Sequence, residues 1–211
     1  MLEEDSGPSE LGTLEFWNAQ YSKEVENFSR HGDQGEIWFG EDIVDRVITW
    51  MTSNVDTTAS IVDIGCGNGH ILAELARLDY KKLTGLDYSE PAIKLAKAIA
   101  EKDGLEIHYE VSDVLEGLPN KYDVIHDKGT YDAVCLSENK LEARAKYLMS
   151  IEKALNDNGY FIVTTCNWTT DEISDHCKNY FELFKTIPTP QFKFGGKIGH
   201  VVSICVFKKK K

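Results

Sequence analysis

The sequence predicts an α/β fold, a parallel helix-covered sheet with an antiparallel strand at its end. Three observations predict it. The stretch Ile61–Gly69 reads Ile-Val-Asp-Ile-Gly-Cys-Gly-Asn-Gly, an apolar run that breaks into alternate glycines and leads at once into a helical pattern at Ile71, Leu72, Leu75 and Ala76. This is strand, tight turn, helix. Downstream, short apolar segments keep alternating with helical ones, which makes the strands parallel. The last two apolar segments, Phe181–Ile187 and Val201–Phe207, are joined by a Pro/Gly-rich connection at Pro188–Gly199 with no full helix between them.

Each element has its own signal. Residues 1–10 are polar, with Gly7 and Pro8, and read as a flexible arm. Phe16, Trp17, Tyr21, Val25 and Phe28 recur at helical spacing and predict a helix over Leu14–Asn27. His31–Gly40 is a loop that carries the adjacent aromatics Trp38 and Phe39; they form either a plug at the next helix or a wall of a ligand pocket. Glu41–Met51 is amphipathic through Ile43, Val44, Val47, Ile48 and Met51, and a polar connector, Thr52–Ser60, follows. A second strand covers Lys82–Asp87. Ser89 then caps a helix with Pro91 in its first turn, where a missing N–H costs little. Strands follow at Ile107–Val111 and Tyr122–His126. The helix Leu141–Leu155 has Leu141, Ala145, Leu148, Ile151 and Leu155 inward and stops at Asn158-Gly159. A β-branched strand, Tyr160–Thr165, a helix over Thr170–Lys178 capped by Thr169 or Thr170, and the two final strands complete the chain. Lys208–Lys211 reads as a solvated tail.

Composition narrows the function. A chain of 211 residues with 42% hydrophobic and 27% charged residues reads as a globular domain with a real core. A net charge of −12 argues against a nonspecific nucleic-acid binder, which needs a basic footprint. No apolar run approaches the ~18 residues that span a bilayer, and the acidic, polar start is wrong for a leader peptide. Five cysteines without a C-x-x-C pair suit a reducing compartment. The expectation is a cytoplasmic monomer, with the lysine tail as an alternative nuclear address. His70, His108 and His200 show no metal-ligand spacing, so no metal is expected.

The glycines set the chemistry. Glycine reaches φ > 0 cheaply and lets a ligand approach the backbone, and the helix that follows aims free N–H groups over the turn. A dinucleotide fingerprint has the spacing G-x-G-x-x-G. Here Asp63 precedes Gly65, Gly67 and Gly69 as Asp-x-Gly-x-Gly-x-Gly, which resembles the first motif of class I S-adenosylmethionine (SAM) methyltransferases. The resemblance implies that the glycines make room for the amino-acid portion of SAM, and that Asp63 holds the loop or, through water, the ligand ammonium. Asp87, 22 residues past Gly65, stands where an acid accepts both ribose hydroxyls. Asp113, after the third strand, resembles the position facing the adenine amino group, though an Asp there also caps turns.

The fold that this resemblance implies is the Rossmann-like seven-stranded class I methyltransferase sheet. Its strand order is 3-2-1-4-5-7-6, with the last strand antiparallel and an N-terminal helical extension. The corresponding division is a 1–10 arm, an 11–58 helical extension and a 59–208 methyltransferase domain. Further motifs narrow the family: Asp127-Lys128-Gly129-Thr130 at the fourth strand end, Gly-Glu-Ile-Trp-Phe-Gly at 35–40, Cys-Asn-Trp-Thr at 166–169 and Pro-Thr-Pro-x-Phe-x-Phe-Gly-Gly at 188–196. In combination they resemble the elongation factor 1-alpha lysine methyltransferase 2 family over nearly the whole chain after residue 11. The resemblance implies a SAM-dependent protein-lysine N-methyltransferase with elongation factor 1-alpha as its protein substrate.

The expected cofactor set is Trp38, Asp63, Gly65, Cys66, Gly67, Gly69, Asp87, Tyr88, Asp113, Val114 and Asp127, and the expected catalytic set is Asp127, Asn167 and Trp168. A lysine ammonium has no lone pair and an ordinary pKa near 10.4, so it must lose a proton before it attacks a methyl group. Apolar burial lowers that pKa, whereas a carboxylate favours the charged form. Asp127 is therefore expected to recruit and orient the amine, or else to cap the strand end. Trp38, Trp168 and Tyr131 would hold the cation through their ring faces, at ~0.5–2 kcal/mol each. Three rivals remain: a methyltransferase for another protein or small molecule, a SAM-binding scaffold without turnover, and a nicotinamide oxidoreductase. The glycine spacing and the lack of a Tyr-x-x-x-Lys disfavour the last.

Overall fold

The structure, a computed structural model, describes residues 9–194 and 197–210. The arm expected over residues 1–10 therefore lies almost wholly outside the described residues. Nine strands form between seven α-helices. The chain starts with α1 (Leu14–His31) and α2 (Glu41–Asn54). It then alternates β1 (Ser60–Ile64), α3 (His70–Arg77), β2 (Lys82–Asp87), α4 (Glu90–Lys102), β3 (His108–Val111) and β4 (Tyr122–Lys128). Next come α5 (Thr130–Cys135), α6 (Lys140–Ala154), β5 (Leu155–Thr165), α7 (Thr170–Cys177) and β6 (Phe181–Ile187). A small hairpin, β7 (Gln191–Phe194) and β8 (Lys197–His200), precedes β9 (Ser203–Lys209).

Seven strands form one sheet in the order β3-β2-β1-β4-β5-β9-β6, with β9 antiparallel to both neighbours. Numbered without the hairpin, this is the expected 3-2-1-4-5-7-6. The period-two alternation of the strands divides the core. Ile61, Val124, Ile162 and Val206 pack under α2, α3 and α4, and Val62, Ile125, Val163 and Phe207 pack under α5, α6 and α7. Helix α1 lies outside this sandwich on α4: Tyr21 joins Ala92, Leu95 and Ile99, and Ser89 Oγ donates to Asn18 Oδ1 at 2.9 Å. Among the described residues no helix is long and apolar enough to cross a membrane.

Several elements depart from the sequence reading. Helix α1 runs four residues further, to His31, because Gly32 takes the left-handed conformation (φ 73°) and its N–H closes the last turn on Phe28 O. Helix α2 likewise extends to Asn54. Helix α5 was not expected, since six residues are too few to show a period. In α6 the inward face is Ala143, Tyr147, Leu148 and Ile151, whereas Leu141 is 62% exposed and Ala145 is exposed. Strand β5 starts at Leu155, so Asn158-Gly159 lies inside a strand; there β5 meets β4 at an irregularity between Tyr122 and Val124. The hairpin occupies the connection read at Pro188–Gly199. The lysine tail is also corrected. Lys208 and Lys209 pair in β9, the Lys208 ammonium lies over the Phe184 ring at 4.4 Å, Lys209 pairs with Glu152 at 3.2 Å, and the Lys210 N–H reaches Tyr180 O.

Candidate active site

In an open parallel sheet the site lies beyond the carboxyl ends of the strands, where the order reverses. Here the reversal falls between β1 and β4, and a cavity of about 290 Å³ sits there. The loop after β1 forms its floor. Gly65 and Gly67 have φ of 62° and 55°, a region unfavourable for any residue with a Cβ. A Cβ at Gly65 would overlap the Thr130 hydroxyl, and one at Gly67 would overlap the Tyr21 hydroxyl. Thr130 fills the space that Gly65 leaves and donates to Ile64 O at 2.9 Å, which locks the loop after β4 to the loop after β1.

Asp87, at the end of β2, organises this floor. Its Oδ2 accepts the Gly67 N–H at 3.0 Å and its Oδ1 accepts the Ser89 N–H at 2.9 Å. Each oxygen keeps a further lone pair, and the residue lines the cavity. Burial raises its pKa to about 6, and the two N–H bonds limit the rise. Asp113 caps a short 3-10 turn by accepting the Leu115 N–H at 2.8 Å and also lines the cavity, with Val114 beside it. The cap is thus observed, and the same residue lies where a cavity ligand could meet it.

The wall opposite comes from the N-terminal segment. Trp17 and Tyr21 of α1 and Trp38 and Phe39 of the following loop line the cavity. Trp17 stacks on Tyr21 at 6.1 Å and meets Trp38 edge-on at 5.4 Å. Asn68, inside the glycine loop, donates from Nδ2 to Gln34 O and Glu36 O and straps this wall to the floor. Phe39 holds φ at 68°, a strained value for a bulky residue.

Of the residues singled out from sequence, the structure brings Trp38, Gly65, Cys66, Gly67, Asp87, Tyr88, Asp113, Val114 and Asn167 around one cavity. Four lie elsewhere. Asp63 is buried behind the loop, with Oδ1 2.7 Å from His126 Nδ1. Gly69 starts α3 and does not reach the cavity. Asp127 is fully buried beneath α5. Its Oδ1 accepts the Thr130 N–H, and its Oδ2 accepts the Tyr131 N–H and the Tyr147 hydroxyl. Burial pushes its pKa up to about 8 against the pull of Tyr147. Trp168 packs edge-on against His176 at 4.6 Å, with its indole N–H buried and unpartnered. Strand alternation explains Asp127: it points to the α5 face, and Lys128 to the opposite one.

The carboxylate that does line the acceptor end is Asp132. One oxygen accepts the Thr165 hydroxyl and the other the Cys166 N–H at 2.9 Å, which fixes the β5–α7 loop and Asn167 at the rim. Burial raises its pKa. Trp17, Tyr21, Asn68, Lys128 and Asp132 were not assigned to the site from sequence. The Trp17-x-x-x-Tyr21 spacing was the available signal for the first two; nothing local marks Asn68.

Comparison with known proteins places this geometry. A family model described as a methyltransferase domain matches residues 56–202. The EEF1A lysine methyltransferase 2 of Mus musculus is 45% identical over 98% of this chain and 87% of its own length. Its Homo sapiens counterpart is 44% identical over 96% and 88%. The protein-lysine N-methyltransferase EFM4 of Saccharomyces cerevisiae is 38% identical over 97% of each chain. Among solved structures, a S-adenosylmethionine-dependent methyltransferase from Clostridium acetobutylicum superposes with a TM-score of 0.67 at 11% identity, covering 89% of this chain and 98% of the other. Magnesium protoporphyrin IX methyltransferase from Synechocystis with bound SAM gives 0.64 at 17%, covering 90% and 97%. At these identities the solved structures speak for the fold alone.

Proposed function

The chain belongs to the EEF1A lysine methyltransferase 2 family of class I methyltransferases, and from that premise we propose its reaction: transfer of methyl groups from SAM to a lysine of translation elongation factor 1-alpha. The observation that carries the reading is one cavity with two chemically different ends. Toward β1–β3 it offers bare glycine backbone, the Asp87 carboxylate and aromatic walls; toward β4–β5 it offers Asp132, Cys166 and Asn167.

The residues present fit SAM. Asp87 keeps an acceptor pair for two ribose hydroxyls after holding Gly67 and Ser89. Asp113 stands at the end of β3 for the adenine amino group, and Tyr88, Val114 and Leu115 supply apolar surface for the rings. When bound, SAM supplies an electrophilic methyl group on a sulfonium. The chain's own work is to hold the amine in line and to let it shed a proton. Cys166 and Asn167 form the rim on which the lysine is oriented, and Asp132 fixes that rim. Burial of the amine lowers its pKa, so a proton can pass to water before attack. Alignment contributes through positioning. Asp127 acts from below as a positioning residue: it caps α5 and so sets Thr130 against Gly65. Trp168, packed on His176, holds the β5–α7 loop from behind.

We further propose that residues 11–58 are an extension that completes the cofactor site, and that the enzyme works as a cytoplasmic monomer. Sedimentation of the purified chain tests the monomer. The reaction itself is tested by incubating purified elongation factor 1-alpha with labelled SAM and locating the product by mass spectrometry. A methylated lysine that disappears with Asp87→Ala supports the reading. Retained SAM binding without transfer to that protein would move the substrate elsewhere and favour a scaffold.

A further inference from the structure

We propose that Lys128 binds the carboxylate of the amino-acid end of SAM. The proposal rests on the cofactor reading above. It starts from strand geometry. Asp127 and Lys128 are neighbours on β4 and so point to opposite faces. Asp127 goes under α5, whereas Lys128 shares the face of His126 and Asp63. The register pairs Ile64 with Asp127, which sets Lys128 level with Gly65, the first residue of the glycine loop.

Charge then singles it out. Among the described residues lining the cavity, Lys128 is the one cationic side chain, against the carboxylates of Glu36, Asp87, Asp113 and Asp132. Among the described residues its ammonium makes no hydrogen bond and no ion pair. Asp63, on its own face, is engaged by His126. Asp87 and Asp132 already hold backbone N–H groups. Its ammonium lies over the Phe39 ring, with Nζ 6.0 Å from the ring centroid. That ring is set there by the left-handed backbone of Phe39 and lies against Gly129, where a Cβ would crowd it.

A half-buried ammonium without a counter-ion is costly. Burial accordingly pulls the Lys128 pKa below its ordinary value, with the more distant charges of Asp63 and Asp127 pulling the other way. A ligand that brings an anion relieves this cost, and SAM carries one anion and two cations. The cations suit the acidic walls, and the carboxylate has one cationic side chain to meet. Repulsion between Lys128 and the sulfonium would also keep the amino-acid end from binding reversed.

The test is calorimetry on the full chain with four ligands: SAM, S-adenosylhomocysteine, decarboxylated SAM and 5′-methylthioadenosine, which lacks the amino-acid end. Lys128→Met should weaken SAM and S-adenosylhomocysteine about tenfold or more, the loss expected for a charge-assisted contact. It should leave 5′-methylthioadenosine and decarboxylated SAM within about twofold, and Lys128→Arg should recover part of the loss. The wild type supplies a check that needs no variant: it should prefer SAM to its decarboxylated form by a similar factor. Equal losses for all four ligands, an unchanged SAM affinity, or a wild type indifferent to the carboxylate would overturn the assignment of Lys128 alone. A wild type that binds none of the four would overturn the cofactor reading and this inference with it.

Discussion

Asp87 and Asp127 both end strands and are both raised in pKa by burial, yet they face different things. Asp87 lines the cavity, and in the proposed reading its ionised form accepts the ligand hydroxyls. SAM affinity is therefore expected to fall as pH drops through about 6, and calorimetry between pH 5 and 8 should show that Asp87→Asn abolishes this dependence along with most of the affinity. Asp127 instead governs stability. Its folded pKa of about 8 lies far above the ordinary carboxylate value near 3.9. The folded chain thus keeps a proton that the unfolded chain releases between those values, and this group's contribution to stability falls as pH rises through that window. Asp127→Asn should flatten that part of the pH–stability curve and retain SAM binding. Asp127→Ala strips an acceptor from the Thr130 and Tyr131 N–H groups and the Tyr147 hydroxyl. At roughly 1–3 kcal/mol for each buried donor left unpaired, thermal unfolding should show a drop of several degrees. Asn167→Ala should do the reverse, sparing the melting temperature and SAM affinity while cutting kcat on the protein substrate roughly a hundredfold, the scale of lost positioning.

At the scale of elements, the loop between α1 and α2 is a wall that Asn68 ties to the glycine loop. Asn68→Ala removes both bonds to Gln34 and Glu36, a loss of about 1–3 kcal/mol. Hydrogen exchange should quicken over residues 34–40 while the sheet stays protected. Such long-range ties explain what the sequence could and could not disclose. The glycine loop, Asp87 and Asp113 were legible because each belongs to a local strand-to-turn pattern, and the alternation of strands and helices was legible because burial repeats with a period. Asn68 was not, since its partners lie more than thirty residues away. The face of Asp127 was not, because alternation assigns two neighbours to opposite sides without saying which is which. In α6 the apolar Leu141 drew the inward face wrongly, although Tyr147 and Ala143 carry it. Strand order came from resemblance, and no spacing in the chain implies it.

At the scale of the molecule, a net charge of −12 surrounds a cavity that is itself rich in carboxylates. A lysine-bearing partner is drawn by this field and an acidic one repelled. Raising salt from about 0.05 to 0.5 M should therefore lower kcat/KM for the protein substrate several-fold through KM, since the Debye length shrinks below the size of the mouth. The walls of the cavity also run from Leu11 to Asn167, with the ends of β1, β2 and β4 and the loops after β3 and β5 all contributing. A chain leaving the ribosome exposes Trp17 and Tyr21 before α4 exists to receive them. A nascent chain that ends before Asn167 lacks part of the cavity wall, so cofactor is expected to stabilise it less than a chain that has passed that point. A premature stop before Asn167 is therefore expected to leave a product that added cofactor stabilises little.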